Sequence, residues 1–353
     1  MPLLDIDRPE TDDRLAWYRG VSDPELLLRG GRFVAEGRLV VERLLRSSRF
    51  ATESVLVTPA ALASLDAALR PRRDRLPVFV VAIEALVALT GYNIHRGALA
   101  IGIRPEGSNA GPSGGTRQRR GALRRTPVPQ GGAADRATAP ACGGIGDLAA
   151  GPGVLVVLEH LANADNVGGI FRSALAFGAA AVLLDPTTCD PLYRKAIRTS
   201  MGATLEVPFA RADDWPATLG ELRAAGFSLL ALCPSSDAVD PAEAGDFLAR
   251  PHVALMIGNE GAGLSKAALA AADVRLRIPI APAVDSLNAA TAAGIALYLA
   301  AEARRLGRSA VAMVHPGGLR PPRSEDPGPP RSENKQPPRS EDPEAVRGGN
   351  RLP

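Results

Sequence analysis

Cysteine is scarce in this 353-residue chain, and the few that occur are far apart. Cys142, Cys189 and Cys233 form no C-x-x-C pair, so the sequence offers no disulfide framework, which is typical of a reducing compartment. Histidine is scarce as well. The four histidines, at positions 95, 160, 252 and 315, lack the spacing of metal ligands, so we expect no bound metal.

Long apolar runs are also missing. No stretch of about 18 or more apolar residues occurs, and the first residues, "MPLLDIDRPETDDR", are acidic where a signal peptide would be basic. The net charge is only +3, so any basic surface for a nucleic acid must be local. Hydrophobic residues make up 46% of the chain, which is enough for the cores of two domains. We therefore expect a soluble cytoplasmic protein with no membrane partner.

Two segments break the hydrophobic pattern. Residues 107–150 are rich in Gly, Pro, Ser and Ala without any period, which predicts a disordered linker. This linker carries five arginines between Arg117 and Arg125, and they are either solvated charge or an arm that grips phosphates regardless of sequence. In the tail, 316–353, "PPRSED" or "PPRSEN" recurs every eight residues, which predicts an extended, disordered segment to which we assign no function.

Two ordered blocks remain. In the first, 12–106, "ESVLVTP", "LPVFVVA" and "GALAIGIRP" predict strands of a small α/β domain. The stretch "FVAEGRLVVERLLRSS" in this block predicts one helix, whose apolar side holds Val34, Leu39, Val40, Leu44 and Leu45. In the second block, 151–308, apolar strands alternate with helices. "TLEVPF" and "RLRIPI" are among its predicted strands, and "SLNAATAAGIALYLAAEARRL" is its predicted final helix. The alternation predicts an α/β fold with a parallel sheet, whose ligands lie beyond the carboxyl ends of the strands.

The glycine-rich loop "IGNEGAGLS", 257–265, matches neither of two nucleotide-binding patterns. Gly258, Gly263 and Ser265 have the spacing of a P-loop, but Leu264 stands where the phosphate-binding lysine belongs. Glu260 would also repel a polyphosphate, and the glycine spacing differs from that of a Rossmann loop. The loop is therefore predicted to bring its backbone close to some other ligand, with a carboxylate fixed in the turn.

Two further stretches follow predicted strands in the same block. "NADNVGGIFRSA", 163–174, presents Asn166 and Arg172 around two glycines. In "IPIAPAVDSLNAATA", 278–292, Ser286 is expected to cap the final helix and Asn288 to lie in its first turn. Taken singly, each residue has an ordinary structural explanation as a helix cap or a surface ion-pair partner. Because all three stretches follow strands of one parallel sheet, we expect them to converge on one site.

The three stretches together resemble the ordered motifs of the SpoU/TrmH family of RNA ribose 2′-O-methyltransferases, in the SPOUT class. The resemblance covers residues 154–304, and "RKAIRTSMGATLEVP", 194–208, also looks like a family segment. "FVAEGRLVVERLL" and "GYNIHRGALAIG" resemble, more loosely, the family's accessory substrate-binding domain. Two positions depart from the usual motifs, Gly169 and Ala289, and neither change removes a polar group.

The resemblance implies a SPOUT-type α/β sheet with a C-terminal trefoil knot, preceded by a small L30e-like α/β RNA-binding domain. S-adenosyl-L-methionine would be the cofactor, held by the loops that contain Gly258, Ile278 and Leu287. The partner would be RNA, with ribosomal RNA favoured over transfer RNA, and the family forms homodimers. His95, beside Arg96, either contacts RNA or is a structural histidine.

The implied reaction is transfer of a methyl group from the cofactor to a ribose 2′-hydroxyl. The catalytic residues that the resemblance implies are Arg172, Asn166, Glu260, Ser286 and Asn288. An arginine side chain stays protonated in proteins, so we expect Arg172 to clamp the target phosphate and acidify the 2′-hydroxyl, while the other four orient Arg172 and the ribose. The sequence leaves the proton acceptor open. The alternative from another class is a non-catalytic RNA-binding protein that retains the fold.

Overall fold

The computed structural model describes residues 4–6, 9–20, 22–72, 74–91, 94, 97–105 and 151–314. The predicted linker, 107–150, the repeat tail, 316–353, and His95 lie outside these residues. Two β-sheets organise the described chain, and both belong to one compact unit, Met1–Val311. Within the described part, no helix has the length and apolar composition that a membrane crossing requires.

The first sheet has five strands in the order β1-β4-β3-β5-β2. It is mixed, because β3 pairs in parallel with β4 and antiparallel with β5. The three strands that the sequence predicts are present as β3, β4 and β5. The elements of this part are β1 (Leu4–Asp5), α1 (Asp23–Gly30), β2 (Arg32–Glu36), α2 (Arg38–Arg46), β3 (Ala51–Val57), α3 (Pro59–Leu69), β4 (Val78–Val80), α4 (Ile83–Thr90) and β5 (Ala98–Ile103).

The second sheet has six strands in the order β11-β9-β10-β6-β7-β8, and each neighbouring pair is parallel. This confirms the predicted parallel sheet. The elements are β6 (Gly153–Leu158), α5 (Ala164–Ala176), β7 (Ala181–Leu184), α6 (Arg194–Thr199), β8 (Phe209–Arg211), α7 (Trp215–Ala224), β9 (Ser228–Leu232), α8 (Gly245–Leu248), β10 (His252–Ile257), α9 (Lys266–Ala271), β11 (Val274–Leu276) and α10 (Ala289–Val314).

The strand order of this sheet identifies where a ligand should bind. From β6 the chain proceeds outward to β7 and β8, and it then returns to build β9, β10 and β11 on the other side of β6. Strands β6 and β10 are therefore adjacent at the point where the order reverses. In open α/β sheets the crevice at such a switch point, beyond the carboxyl ends of the strands, is the usual ligand site. The segments that follow β6 and β10 are "NADNVGGIFRSA" and "IGNEGAGLS".

The predicted single helix over "FVAEGRLVVERLLRSS" is wrong, because its first part is a strand. Residues Arg32–Glu36 form β2, and helix α2 begins only at Arg38. Gly37, between them, has φ 93°, a backbone conformation that interrupts a helix. Val34 is consequently buried on a strand, and Leu39, assigned to the apolar side, is 40% exposed. A short apolar run fits both the hydrophobic period of a helix and that of a strand. The backbone pairing of this segment with β5 makes it a strand.

Three further boundaries differ from the prediction. In "TLEVPF", Thr204 and Leu205 belong to a 3-10 turn, Ala203–Leu205, and the strand begins at Phe209, because Pro208 lacks the N–H that a ladder needs. In "RLRIPI", the strand ends at Leu276, ahead of Pro279. The final helix begins at Ala289 instead of Ser286.

The two sheets share a packed interface. Core residues of both belong to one continuous hydrophobic cluster. Across the interface, the Arg104 guanidinium donates to both carboxylate oxygens of Asp190 at 2.6 Å, and both side chains are buried. Nearby, the backbone N–H of Arg194 donates to Asp23 at 2.9 Å. Removing either partner of a buried pair would leave an uncompensated charge, so this contact fixes α6 against the first sheet.

Candidate functional site

The loop after β10 holds itself in shape through Asn259. The Asn259 Oδ1 accepts hydrogen bonds from the backbone N–H groups of Gly261 and Ala262 at 2.7 and 3.1 Å. Its Nδ2 donates at 2.9 Å to the carbonyl of His160, two residues after the end of β6. The backbone of Gly263 also donates to the Asn259 carbonyl at 2.9 Å. The loop is thus a closed turn attached to the neighbouring strand end.

Gly258 is required by the loop itself. A Cβ added there would lie 2.3 Å from the carbonyl carbon of Gly263 and 2.4 Å from the backbone nitrogen of Leu264. Glycine is therefore required at position 258 because the turn folds back on itself. This reason is separate from the predicted close approach of a ligand to the backbone at Gly258. Gly261 differs, because a Cβ there would meet only the Asn259 side chain, at 3.4 Å.

Three of the predicted catalytic residues form one hydrogen-bonded cluster. Asn166, on α5, donates through Nδ2 to a carboxylate oxygen of Glu260 in the glycine loop. The Asn166 Oδ1 accepts from Nδ2 of Asn288 at 2.8 Å. The Asn288 Oδ1 in turn accepts from the backbone N–H groups of Ala290 and Thr291 at 2.9 and 3.2 Å. The segments after β6, β10 and β11 therefore meet at this polar cluster.

The expected roles in helix capping are not the observed ones. Asn288 precedes α10 and caps it, whereas it was expected within the first turn. Ser286 was expected to be the cap, but it lies three residues before the helix and is exposed. For α5, the cap is Asn163, whose side chain accepts from the backbone of Asp165. Asn166 therefore does not cap the helix, and its side chain donates to Glu260 instead.

The structure does not bring Arg172 into the cluster. Arg172 is exposed on α5 and has no hydrogen bond or ion pair with any described residue. It lies six residues, about 600° of helical rotation, after Asn166, so the two side chains leave α5 in different directions. Gly169 lies on the α10 side of the same helix, where an added Cβ would meet Ala290 at 2.8 Å.

A cavity of about 610 Å³ lies next to the cluster, in the size range of small-molecule sites. The three residues predicted to hold a cofactor, Gly258, Ile278 and Leu287, all line it, as do Glu260 and Ser286. Three chain segments form its walls: the end of β9, the glycine loop, and the segment between β11 and α10. The cavity therefore lies at the carboxyl ends of the strands, where the topology places a ligand.

A buried carboxylate that sequence reasoning missed supports the loop from below. Glu159, immediately after β6, is completely buried. One of its oxygens accepts from the indole N–H of Trp215, and the other accepts from the backbone N–H of Ser265 at 2.8 Å. Ser265 ends the glycine loop and caps α9, so Glu159 fixes that end of the loop. A carboxylate directly after a fully apolar strand is the signal that could have indicated it.

The strand end beside Glu159 is also held in an uncommon conformation. His160 has φ 58°, a left-handed conformation that is rare for residues other than glycine, and its carbonyl accepts from Asn259. Burial raises the pKa of Asp185, but hydrogen bonds from Thr188, Thr187 and the backbone of His160 outweigh it, so the pKa of Asp185 is lowered. A charged Asp185 thus helps to hold the turn at His160. Its Oδ2 lies 3.5 Å from Nδ1 of the His160 imidazole.

We expect Glu159→Gln to weaken ligand binding in the cavity and to lower stability. The amide would present a donor to one of two N–H groups, which leaves that group unpaired at a cost of about 1–3 kcal/mol. Glu206→Gln is the control, because Glu206 is 44% exposed and paired with Arg43 away from the cavity. Calorimetric ligand affinity and chemical unfolding should both change in the first variant only. Equal affinities in the two variants would contradict the anchoring role.

The polar cluster offers hydrogen bonding by two amides and one carboxylate. Among the described residues, no group of three or more His, Cys, Asp or Glu side chains could hold a metal ion. Fold and site together define a doubly wound α/β protein with a small-molecule cavity at its switch point.

Comparison with known proteins identifies the family. The SpoU rRNA Methylase family model matches residues 153–298, the whole second sheet and the start of α10. An uncharacterized tRNA/rRNA methyltransferase of Mycobacterium bovis is 35% identical over 305 residues, covering 84% of this chain and 90% of that protein. The chain belongs to the SpoU methylase family.

Solved structures agree with this assignment. The AdoMet-bound rRNA methyltransferase from Sinorhizobium meliloti superposes with a TM-score of 0.62 at 23% identity, covering 85% of this chain and 98% of that one. An RNA 2′-O ribose methyltransferase superposes with a TM-score of 0.56 at 26% identity, covering 79% and 91%. The likeness extends beyond the second sheet and shows that both parts of the fold occur together in such proteins.

Proposed function

We propose that the protein is an S-adenosylmethionine-dependent methyltransferase that methylates a ribose 2′-hydroxyl in structured RNA, with ribosomal RNA favoured over transfer RNA. Family membership supports RNA methylation, and the 26%-identical RNA 2′-O ribose methyltransferase supports the ribose as the target. The observation that carries the proposal is the position of the cavity, which directly adjoins the cluster of Asn166, Glu260 and Asn288.

The cavity fits S-adenosylmethionine better than a nucleotide phosphate. Its lining combines apolar side chains, among them Ile278 and Leu287, with exposed backbone of the glycine loop. The carboxylates of Glu260 and Asp285 also line it, together with the guanidinium of Arg275, which is paired with the carboxylate of Asp237. The two carboxylates would repel a phosphate but favour a cationic sulfonium. When bound, the cofactor supplies an electrophilic methyl group. Gly258, Ile278 and Leu287 are the residues that would hold it.

The polar cluster would orient the nucleophile. A ribose 2′-oxygen has to be held in line with the methyl group and must lose its proton. Glu260 borders the cavity and is fixed by Asn166, which is fixed in turn by the helix-capping Asn288. Arg172, exposed nearby on α5, would bind the phosphate next to the target ribose and place a positive charge that favours the 2′-oxyanion. Ser286, exposed at the cavity, would contact the ribose.

The finer features of the fold are part of the proposal. The segment from Ile278 to Asn288 reaches back to α5, where Asn288 contacts Asn166 and Ala290 packs at Gly169. This return toward the start of the sheet supports a C-terminal trefoil knot. The mixed first sheet, with its helices, would be the L30e-like RNA-binding domain.

A homodimer is expected to form through α5 and α10. Phe177, which directly follows α5, and Tyr298, on α10, have ring centroids 5.9 Å apart and are 38% and 51% exposed, so together they present an apolar surface to solvent. We expect Tyr298→Asp to produce monomers in sedimentation experiments. Leu28→Asp, at a 63% exposed position on α1, should leave the dimer intact. A Tyr298→Asp protein that remains dimeric would remove this surface from the interface.

The proposed function is tested with two measurements on the purified chain. Calorimetry should detect S-adenosylmethionine binding, and radiolabelled methyl groups should then appear in ribosomal RNA and to a smaller extent in transfer RNA. Label mainly in transfer RNA would reverse the stated RNA preference. RNA binding without any methyl transfer would instead favour the alternative, a non-catalytic RNA-binding protein that retains the fold.

A further inference from the structure

A group of exposed cations lies on the face of the second sheet that α5 and α6 share. We define the basic strip as Arg172 on α5 with Lys195 and Arg198 on α6. All three side chains are exposed, and Lys195 is 54% exposed. None of the three residues lines the cavity or belongs to the polar cluster. Only Arg172 already has a proposed role.

Close packing of the two helices holds the strip together. A Cβ added at Gly168 would lie 2.6 Å from the carbonyl oxygen of Ala196, so glycine lets α5 approach the backbone of α6. Arg172 lies four residues after Gly168 and is therefore on the side of α5 that faces α6. Its Cα–Cβ bond tilts toward the N-terminal end of α5, the end at which Asn166 lies.

One carboxylate accompanies these cations. Asp165 lies seven residues before Arg172 on the same side of α5, and it contacts Nζ of Lys195 at 2.8 Å and the hydroxyl of Thr199 at 2.8 Å. The hydrogen bond from Lys195, followed by that from Thr199, lowers the pKa of Asp165, and the charges of Lys195 and Arg198 act in the same direction. Three cations against one carboxylate leave local positive charge in a chain whose net charge is small.

We propose that the basic strip binds backbone phosphates of the RNA beside the target nucleotide, with Lys195 and Arg198 as phosphate-contacting residues. This inference rests on the proposed function. Asn166 and Arg172 are six residues apart, which is roughly 9 Å along α5. Lys195 is closer to the polar cluster, because it contacts Asp165, which directly precedes Asn166. The strip therefore begins beside the cluster at Lys195 and extends along α5 and α6. An RNA backbone whose target ribose lies at the polar cluster would place the neighbouring phosphates over these cations.

The test uses Lys195 and Arg198 and leaves Arg172 unchanged. The double variant Lys195→Gln, Arg198→Gln should bind RNA more weakly. Its plot of log affinity against log salt concentration should be shallower by about 0.7–0.9 for each phosphate that the variant no longer neutralises. Asp165→Asn should shift affinity in the opposite direction, because it removes the carboxylate that contacts Lys195. The KM for RNA should rise in the double variant with little change in kcat, and the affinity for S-adenosylmethionine should stay the same.

Arg223→Gln is the matched control. Arg223 is 53% exposed and paired with Asp273, much as Lys195 is paired with Asp165, but it lies on α7. An unchanged salt dependence in the double variant, or an equal loss in Arg223→Gln, would overturn the proposal. The wild-type chain is assayed first, so absence of any RNA methylation there would be a failure of the proposed function and not of the strip. Retained RNA affinity in a methylating double variant would assign the strip to another partner and refute the proposal.

Discussion

Arg172→Ala should lower methyl transfer by about 10²- to 10⁴-fold, the range for a positioned acid–base or electrostatic group. Its affinity for S-adenosylmethionine should hardly change, because Arg172 does not line the cavity and contacts no described residue of the cluster. Arg172→Lys should keep part of the activity, since lysine restores the charge without the two-pronged geometry of guanidinium. Single-turnover methyl transfer and calorimetry on the same samples measure both quantities.

The lysine variant separates two explanations of the arginine. Intermediate activity supports a clamp in which charge does most of the work. A lysine variant as inactive as alanine would indicate that the guanidinium geometry alone is essential. If the alanine variant transferred methyl groups at nearly the wild-type rate, Arg172 would have no part in the mechanism. It would then be an ordinary exposed surface residue.

Gly258→Ala should weaken S-adenosylmethionine binding strongly, whereas Gly261→Ala should bind almost as wild type does. The added methyl group at Gly258 would overlap the backbone of Gly263 and Leu264, and relieving it has to displace the loop. Overpacking of this kind costs about 1–3 kcal/mol, which corresponds to roughly 5- to 150-fold in Kd. At Gly261 the new methyl group would meet one side-chain oxygen at 3.4 Å.

The two glycine variants form a matched pair, because they make the same change in one loop. Calorimetry measures the affinity, and thermal unfolding checks that both proteins remain folded. If both variants bind the cofactor equally well, the glycine loop is not part of the cofactor site. If both lose binding equally, the effect reflects loss of loop flexibility and not the overlap at Gly258.

Much of the second sheet could be predicted from the sequence, because its strands are continuous apolar runs between helices. Strand β6, for example, is buried at every position, as a central strand of a parallel sheet must be. The first block was harder. The run from Phe33 to Ser48 has the composition of a helix, and only pairing of β2 with β5, about 65 residues later, makes its first part a strand.

The site shows the same division between local and long-range information. Convergence of Asn166, Glu260 and Asn288 follows from their positions after parallel strands, and the structure brings them together. The anchoring of Glu159 depends on Trp215, 56 residues away, and no local pattern specifies that contact. Ser286 was a reasonable cap by residue type, but the chain between Leu276 and Ala289 remains irregular, and Asn288 caps the helix instead.

The most direct test of the central claim is to map the chemical position of the transferred methyl group. Ribosomal RNA that lacks the modification is incubated with the purified protein and S-adenosylmethionine, and its nucleosides are then analysed by mass spectrometry. We predict a ribose 2′-O-methyl nucleoside at a defined site, present with the wild-type chain and nearly absent with Arg172→Ala. A methyl group on a base, or no methyl group on any RNA despite cofactor binding, would contradict the account.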